Sequence, residues 1–539
     1  MMKKTAITIL LAAMSMAAAH AQTAYDALRY SENNYEGTAR SVAMGNAFTA
    51  LGGDLGSVTI NPAGSAVAGY SQISFTPALT FSAATAQGVS PFSDGSLPYF
   101  ERAMKSSMTR FALPNVGMTF NWNTNRTSGL KNLTFGFVAS KTGSWDDDIY
   151  ANGVNSTTSY MGALAWETDG IDVADLEGSK AYDYSPWSSV IGYQSGMISP
   201  FGGNTDRYVG ASELVFDNGD IVLGGALDQT YGRRVTGNKY DYVFNFGGNV
   251  SEFIYFGANL GISTLNYGYD EYFKEAAIDP ADFEIGLDNG ETMYFSQMKH
   301  RYSYQADGSG FYAKFGVIVT PGAGLRIGAA VQTPTLNTIT ERWQENGEAE
   351  FTSSKYNGFA SSPEGEYRYT FRSPFRANFG LAYTLGSFAV ISADYELCNY
   401  GQMQFRTDGS DRDYFEDVNN DIKSRFGTSH MLRAGAEVKL GALAARVGYG
   451  LTSSPEKISS WGTEMPVTYR QNVSFGLGYS SKGSFFADIA ARTTMVSDEY
   501  YMPYSDYILD DEDNILDPAP EIMIHRSNWK VLLTLGWRF

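Results

Sequence analysis

GTARSVAMGNAFTALGGDLGSVTINPAGSA, residues Gly37 to Ala66, is a run of small side chains carrying one cation, Arg40, and one anion, Asp54. Gly, Ala and Ser let a backbone lie close to whatever surrounds it. Helices are predicted over Tyr25 to Tyr30, just upstream, and over Ala39 to Leu51, the second stopping at Gly52-Gly53. Asn61-Pro62-Ala63-Gly64 then turns the chain, Pro fixing φ and Asn able to bond nearby backbone. Nothing between Gln22 and Gly69 alternates as a strand does. The segment reads as a compact element built to pack inside something else.

From Tyr70 onward the period changes to two. Val116, Met118, Phe120 and Trp122 share one face, and Asn115, Gly117, Thr119, Asn121 and Asn123 share the other. Phe375 to Thr384, Leu432 to Leu440 and Asn472 to Ser480 repeat the pattern. A soluble sandwich alternates too, so spacing decides. Tight connections (Asn125 to Leu130, Asn249 to Glu252, Pro321 to Gly324, Leu385 to Ser387, Leu440 to Ala442, Ser480 to Ser484) alternate with long polar ones. The long ones are Ala84 to Leu113, Gly143 to about Asp228, Gly268 to Gly310, Leu336 to Tyr367, Thr407 to Ser429, Thr452 to Thr468 and Ser497 to Ile524. Short turns on one side and long loops on the other build an outer-membrane barrel, here of about fourteen strands. The last strand, Val531 to Phe539, ends the chain on an aromatic.

The chain opens with Lys3 and Lys4, an apolar run from Ala6 to Ala19, and Ala19-His20-Ala21. That is the layout of a secretory signal cut after Ala21, and the core is short for a membrane anchor. The expected organisation is a signal peptide at 1–21, a plug at 22–69 and a transmembrane β-barrel at 70–539. A mean hydropathy of −0.24 does not oppose this, because barrel strands are apolar only at alternate positions. The formal charge of −19 becomes −21 when Lys3 and Lys4 leave, which disfavours nucleic acid as a partner. The single Cys398 and the scattered His residues match no metal-ligand spacing, so no cofactor is expected.

The order Gly37-Thr38-Ala39-Arg40, then Met44-Gly45-x-Ala47-Phe48-Thr49-Ala50, then Asp54, then Asn61-Pro62-Ala63-Gly64, resembles the N-terminal hatch of the FadL-type outer-membrane transporters. Asn46 departs from that family's usual second Gly. Lys314 to Pro334 resembles its paired strands with a Pro at the turn and another at the far end. Ser373-Pro374-Phe375-Arg376 resembles its Thr-Pro-x-Arg strand opening. The terminal Phe539 resembles the signal read by the barrel-assembly machinery. The resemblance implies an all-β fold, an antiparallel barrel plugged by a partly helical hatch, in the bacterial outer membrane after Sec export among lipid and lipopolysaccharide. It also implies passive uptake of hydrophobic molecules, long-chain fatty acids or similar. Ligand is caught among extracellular loops, passed to a lumen pocket, and released sideways beside a kinked strand by hatch rearrangement. The hatch residues carried over are Gly45, Phe48, Asn61, Pro62, Ala63 and Gly64.

Two sets of residues are candidates for ligand contact. Met161, Leu164 and Trp166, with Ala165, form an apolar patch in the second long loop, set against local packing of that loop on itself. Arg376, Arg433 and Arg446 face the lumen and suit a carboxylate head group, set against ion pairing with Glu437 and Asp394. The acidic runs Asp146 to Asp148 and Asp510 to Asn514 lack calcium-loop spacing and read as solvated surface. No G-x-S-x-G accompanies a candidate Ser, so an enzyme is not expected. The remaining alternatives are a FadL-like barrel that holds protein cargo for a secretion system, and a general porin.

Overall fold

The computed structural model describes residues 22–90, 99–216, 220–287, 289–407, 413–457, 470–481, 484–510 and 514–539. The signal peptide and Asp511 to Asp513 lie outside the described residues. Fourteen antiparallel strands close into a barrel. They are β1 (Gln72–Gly88), β2 (Met104–Asn123), β3 (Leu130–Ser144, continued by Asp147–Asn155), β4 (Leu227–Val250) and β5 (Ile254–Ala277). Next come β6 (Thr292–Gly322), β7 (Leu325–Gln332, continued by Leu336–Phe351), β8 (Gly365–Arg372 leading into Arg376–Leu385) and β9 (Ala389–Asn399). The last are β10 (Thr428–Leu440), β11 (Leu443–Thr452), β12 (Arg470–Ser480), β13 (Phe485–Val496) and β14 (Ile522–Arg538).

Neighbours in sequence are neighbours in the wall, and β14 pairs with β1 from Arg538↔Gln72 to Ile522↔Gly88. Phe539 and Ser71 exchange backbone hydrogen bonds at 2.9 and 3.1 Å, so the chain end completes the ring. The predicted tight connections within the described residues fall at turns along one rim, and Ser480 to Ser484 lies partly outside them. Gly386, Gly441 and Gly324 supply the left-handed backbone that such turns need.

Period two puts the apolar sets outside: Trp122 is 64% exposed, Leu440 69% and Leu477 63%. On a soluble protein such a continuous apolar band would aggregate; facing lipid, it is what holds the barrel in place. No described helix is long and apolar enough to cross a membrane, and the strands do the spanning. The inner face is polar and buried, with Asn115, Thr119, Thr134, Asn378, Arg433, Glu437 and Thr534.

Two expectations need correction. Some of the stretches expected to be long loops, Gly268 to Gly310 and Leu336 to Tyr367 above all, are largely strand: β5 runs to Ala277, β6 begins at Thr292, and the upper part of β7 covers Leu336–Phe351. Most of Thr452 to Thr468 lies outside the described residues. Above the lipid, outward positions meet water or other protein, so the hydropathy contrast fades while backbone pairing continues. The helix expected over Ala39 to Leu51 ends at Ala43, because Gly45 and Asn46 adopt φ of 63° and 57°. Asn tolerates that backbone, which accounts for Asn46 where a second Gly is usual.

The long segments at the rim opposite the tight turns fold into a cap over the barrel, with helices Tyr160–Thr168 and Trp187–Gln194 in an apolar core that includes Leu164, Ile191, Phe283, Phe295 and Ile522. Inside this cap Glu275 receives Tyr160 N at 2.8 Å, Ser159 Oγ at 2.7 Å and Gln229 Nε2 at 2.7 Å. Burial nonetheless pushes its carboxyl up to about 7, and that of Glu213 likewise to about 7. A carboxyl raised by folding is cheapest to bury while protonated. The cap is therefore tightest below the unfolded-state value near ~4.3 and loosens as pH rises through about 7. Protection of residues 160–168 against hydrogen exchange, taken relative to the base-catalysed intrinsic rate, is expected to fall between pH 5 and 8, and Glu275→Gln to flatten that fall.

Candidate functional site

Four short helices fill the lumen: α1 (Ala24–Ser31), α2 (Ala39–Ala43), α3 (Ser57–Ile60) and α4 (Gly64–Val67). Thr23 and Asp26 form a capping box at the start of α1, and Thr38 caps α2. Wall side chains clamp the segment at many points. Thr534 Oγ1 receives Ala39 N at 2.7 Å, and Arg40 forks onto Glu437 at 2.8 and 3.1 Å. Asp394 receives Thr49 N and Oγ1 at 2.8 and 2.7 Å, Lys314 reaches Thr59 O at 2.7 Å, and Arg326 reaches Leu51 O at 2.7 Å.

The predicted hatch residues sit at these clamps. Asn61 Nδ2 donates to Thr49 O at 2.6 Å and to Val317 O at 3.2 Å, tying the hatch to itself and to β6. Pro62 O accepts from Asn245 at 3.0 Å. Ala63 packs with Ala66, Tyr255 and Ile318, and Gly64 lies on the Cα of Gly52. Phe48 is fully buried with Met44, Ala50 and Leu51, beneath the Arg40 guanidinium 5.5 Å away. Gly45 lies so close to the wall that a Cβ on Gly448 would overlap its nitrogen. Small residues on both sides of the contact are what let a helical plug sit flush inside a barrel.

The three arginines divide. Arg446 is consumed by Glu437 at 2.6 Å and Asp488 at 2.5 Å. Arg376 is consumed by Glu396 at 2.9 Å and by Ser31 O. Arg433 differs: Glu396 is 3.3 Å away, Asp394 is 3.9 Å away, and none of its guanidinium nitrogens has a hydrogen-bond partner within the protein. Both carboxylates are already engaged, Asp394 by Thr49 and Glu396 by Arg376 and Asn378. Arg433 faces a small cavity against the hatch, lined by Tyr35, Asn46, Arg470, Asn472 and Arg492. Arg492 is also buried, with its Nε unpartnered. Two buried guanidiniums with free donors suit an anion. Sequence reasoning missed Arg492, although Phe486, Asp488, Ala490 and Arg492 share the inward face of β13.

The loop patch lies elsewhere. Met161 and Leu164 are buried in the cap core, and Trp166 is 44% exposed. None of them is brought near the arginines.

Between β2 and β3 the backbone pairing of the wall breaks off, leaving a gap in the ladder. Their ladder runs from Asn123↔Asn132 to Asn115↔Ser140 and stops. Pro114, the next residue on β2, has no N–H to give, and β2 bulges there, with Leu113 and Pro114 set against Pro77 of β1. Above this level β2 pairs only with β1, while the continuation of β3 pairs only with β4. The hatch takes up the released backbone: Glu36 N donates to Lys141 O at 3.0 Å and Asn34 N to Thr142 O at 2.7 Å. Salt bridges tie the parting strands together. Asp146 meets Arg110 of β2 at 3.4 Å, and Asp147 meets Arg526 of β14 at 2.8 Å. The Asp146–Asp148 run, expected to be solvated surface, is this latch, with Asp148 on Arg234 at 3.3 Å.

A barrel of fourteen strands with an N-terminal hatch is also the architecture of solved structures. A Pseudomonas aeruginosa FadL homologue aligns over 94% of this chain and 99% of its own, at 10% identity and a TM-score of 0.51. The fold is FadL-type. The P. putida toluene transporter TodX aligns over 93% of this chain and 98% of its own, at 12% identity and a TM-score of 0.50. No family model and no curated protein matches the sequence. At such identities the likeness speaks to the FadL-type fold, and the side-chain chemistry of the lumen belongs to this chain.

Proposed function

We propose that the protein carries hydrophobic molecules with an acidic head group, long-chain fatty acids among them, passively across the outer membrane. The observation that carries this reading is a hatch-filled lumen beside a side opening, with Arg433 and Arg492 holding free donors at the hatch surface. The acyl part has an apolar route. Tyr267, Tyr304, Tyr369, Phe371 and Phe405 surround α1 in the upper lumen, and withdrawal of α1 would leave their faces to a chain. The loop helix Glu416–Arg425 touches α1 directly: the Tyr25 and Phe426 rings meet at 5.7 Å, and Arg425 lies 6.0 Å over Tyr25. A ligand arriving at that helix therefore reaches the hatch by contact. Binding at the arginines competes with the Tyr35 and Asn46 contacts, and the freed hatch segment at Asn34 to Glu36 uncovers the gap.

The test is uptake of labelled long-chain fatty acid by cells carrying the protein, compared with cells lacking it. Equal uptake sinks the proposal. The filled lumen also separates transport from a general porin. In planar bilayers the intact protein is expected to show no large steady current, and deletion of residues 23–67 to produce one. A large current from the intact protein would favour the porin.

A further inference from the structure

Glu341 of β7 is fully buried in the upper lumen, and its neighbours are neutral or anionic. Gln22 Nε2 donates to Oε2 at 2.6 Å, while Tyr30 OH at 3.2 Å and Tyr369 OH donate to Oε1. The nearest charge bearing on it is Asp26, a second carboxylate already engaged by Arg29 and Thr23. Three of the other buried glutamates have cations: Glu36 has Lys530, Glu396 has Arg376, and Glu437 has Arg40 and Arg446. Among the described residues no Lys, Arg or His forms an ion pair with Glu341. An ionised carboxylate in such a place is expensive unless a cation joins it.

Gln22 is the residue that the Ala19-His20-Ala21 pattern makes the first of the mature chain. It is only 7% exposed, at the foot of α1, with its side chain already on Glu341. We propose that Glu341 is the counter-ion of the mature N-terminus. Hydrolysis by a signal peptidase adds water across the Ala21–Gln22 bond. Ala21 leaves with a carboxylate, and Gln22 keeps an amine that takes up a proton. Before the cut, position 22 offers Glu341 a neutral amide; after it, an ammonium. The helix dipole of α1 opposes a cation at its start, and Asp26 in the first turn offsets that opposition. Signal removal thus supplies the charge that completes the hatch's seat. This inference needs the hatch to be inside the barrel, and it is independent of what the protein transports.

The experiment uses the full mature protein extracted from membranes in mild detergent and an amine-acetylating reagent. Mass spectrometry of the N-terminal peptide reads both its start and its labelling as pH is varied. The peptide is expected to begin at Gln22 with a free amine and to label about tenfold more slowly than in the denatured chain. Labelling should set in above the pH ~7.7–8.0 usual for an α-amine. Burial alone would move that onset down, and only a paired anion moves it up. Glu341→Gln should bring the onset back. Gln22→Ala, which keeps the amine and loses the amide, should leave it raised, and it serves even if Glu341→Gln does not assemble. A different first residue, a lactam formed by loss of ammonia, or an unshifted or lowered onset overturns the proposal.

Discussion

Replacing Arg446 by Met is expected to destabilise the barrel by about 3–5 kcal/mol, because it leaves the Asp488 carboxylate buried without its cation. Glu437 would keep Arg40, so the loss falls mainly on β13. Replacing Arg433 by Met should act on two quantities. It removes the cation 3.9 Å from buried Asp394 and 3.3 Å from Glu396, so some stability is lost, and because its nitrogens make no hydrogen bonds within the protein a separate effect appears in ligand binding. A charge-assisted hydrogen bond is worth about 1.5–3 kcal/mol, so affinity for a long-chain carboxylate should fall about 10- to 100-fold. Affinity for a neutral hydrocarbon should stay unchanged. Thermal loss of the compact form on gels reads the first quantity, and titration with a fluorescent fatty acid reads the second. If Arg433→Met binds the carboxylate as the parent does, the lumen anion site is wrong. If Arg446→Met melts with the parent, so is the division of the arginines.

Locking the gap between β2 and β3 is the second change with a large expected effect. Ser106 Oγ of β2 donates to the backbone oxygen of Asp148 across the opening, so the two positions are close. With Cys398 changed to Ser, the pair Ser106→Cys and Asp148→Cys can be joined by a short thiol cross-linker that a reductant cleaves. Uptake is expected to fall by about tenfold or more when joined, and to return on reduction, as for a gate whose opening limits passage. Ligand binding to the purified protein should survive the lock, since the arginines lie on β10 and β13 and not on the two strands that the cross-link joins. Unimpaired uptake through a fully cross-linked barrel would place the exit elsewhere.

The period-two pattern, with tight and long connections in alternation, was enough to place the barrel, because one face of each strand meets lipid and its turns on one side are short. The order of small residues from Gly37 to Gly64 was enough to place a close-packed segment before it. Composition and periodicity act locally, so they survive in a one-dimensional reading. The upper strands were harder to see: beyond the lipid there is no hydrophobic contrast to read, although Glu271↔Tyr302 and its neighbours pair as regularly as any.

What the tertiary structure decided is which charges are spent. Arg376, Arg433 and Arg446 look alike in sequence, each on the inward face of a strand. Whether a guanidinium is free depends on the carboxylates that neighbouring strands and the hatch bring within about 4 Å, and on who reached those carboxylates first. The gap beside Pro114 is of the same kind. A proline removes one donor wherever it stands, but it becomes an opening only because the continuation of β3 leaves β2 and the hatch takes up the backbone left behind. Faces are set by each residue's place along its own strand, and pairings by residues on other strands and on the hatch, from Arg446 and Glu437 on adjacent strands to Arg40 and Glu437 far apart in the chain.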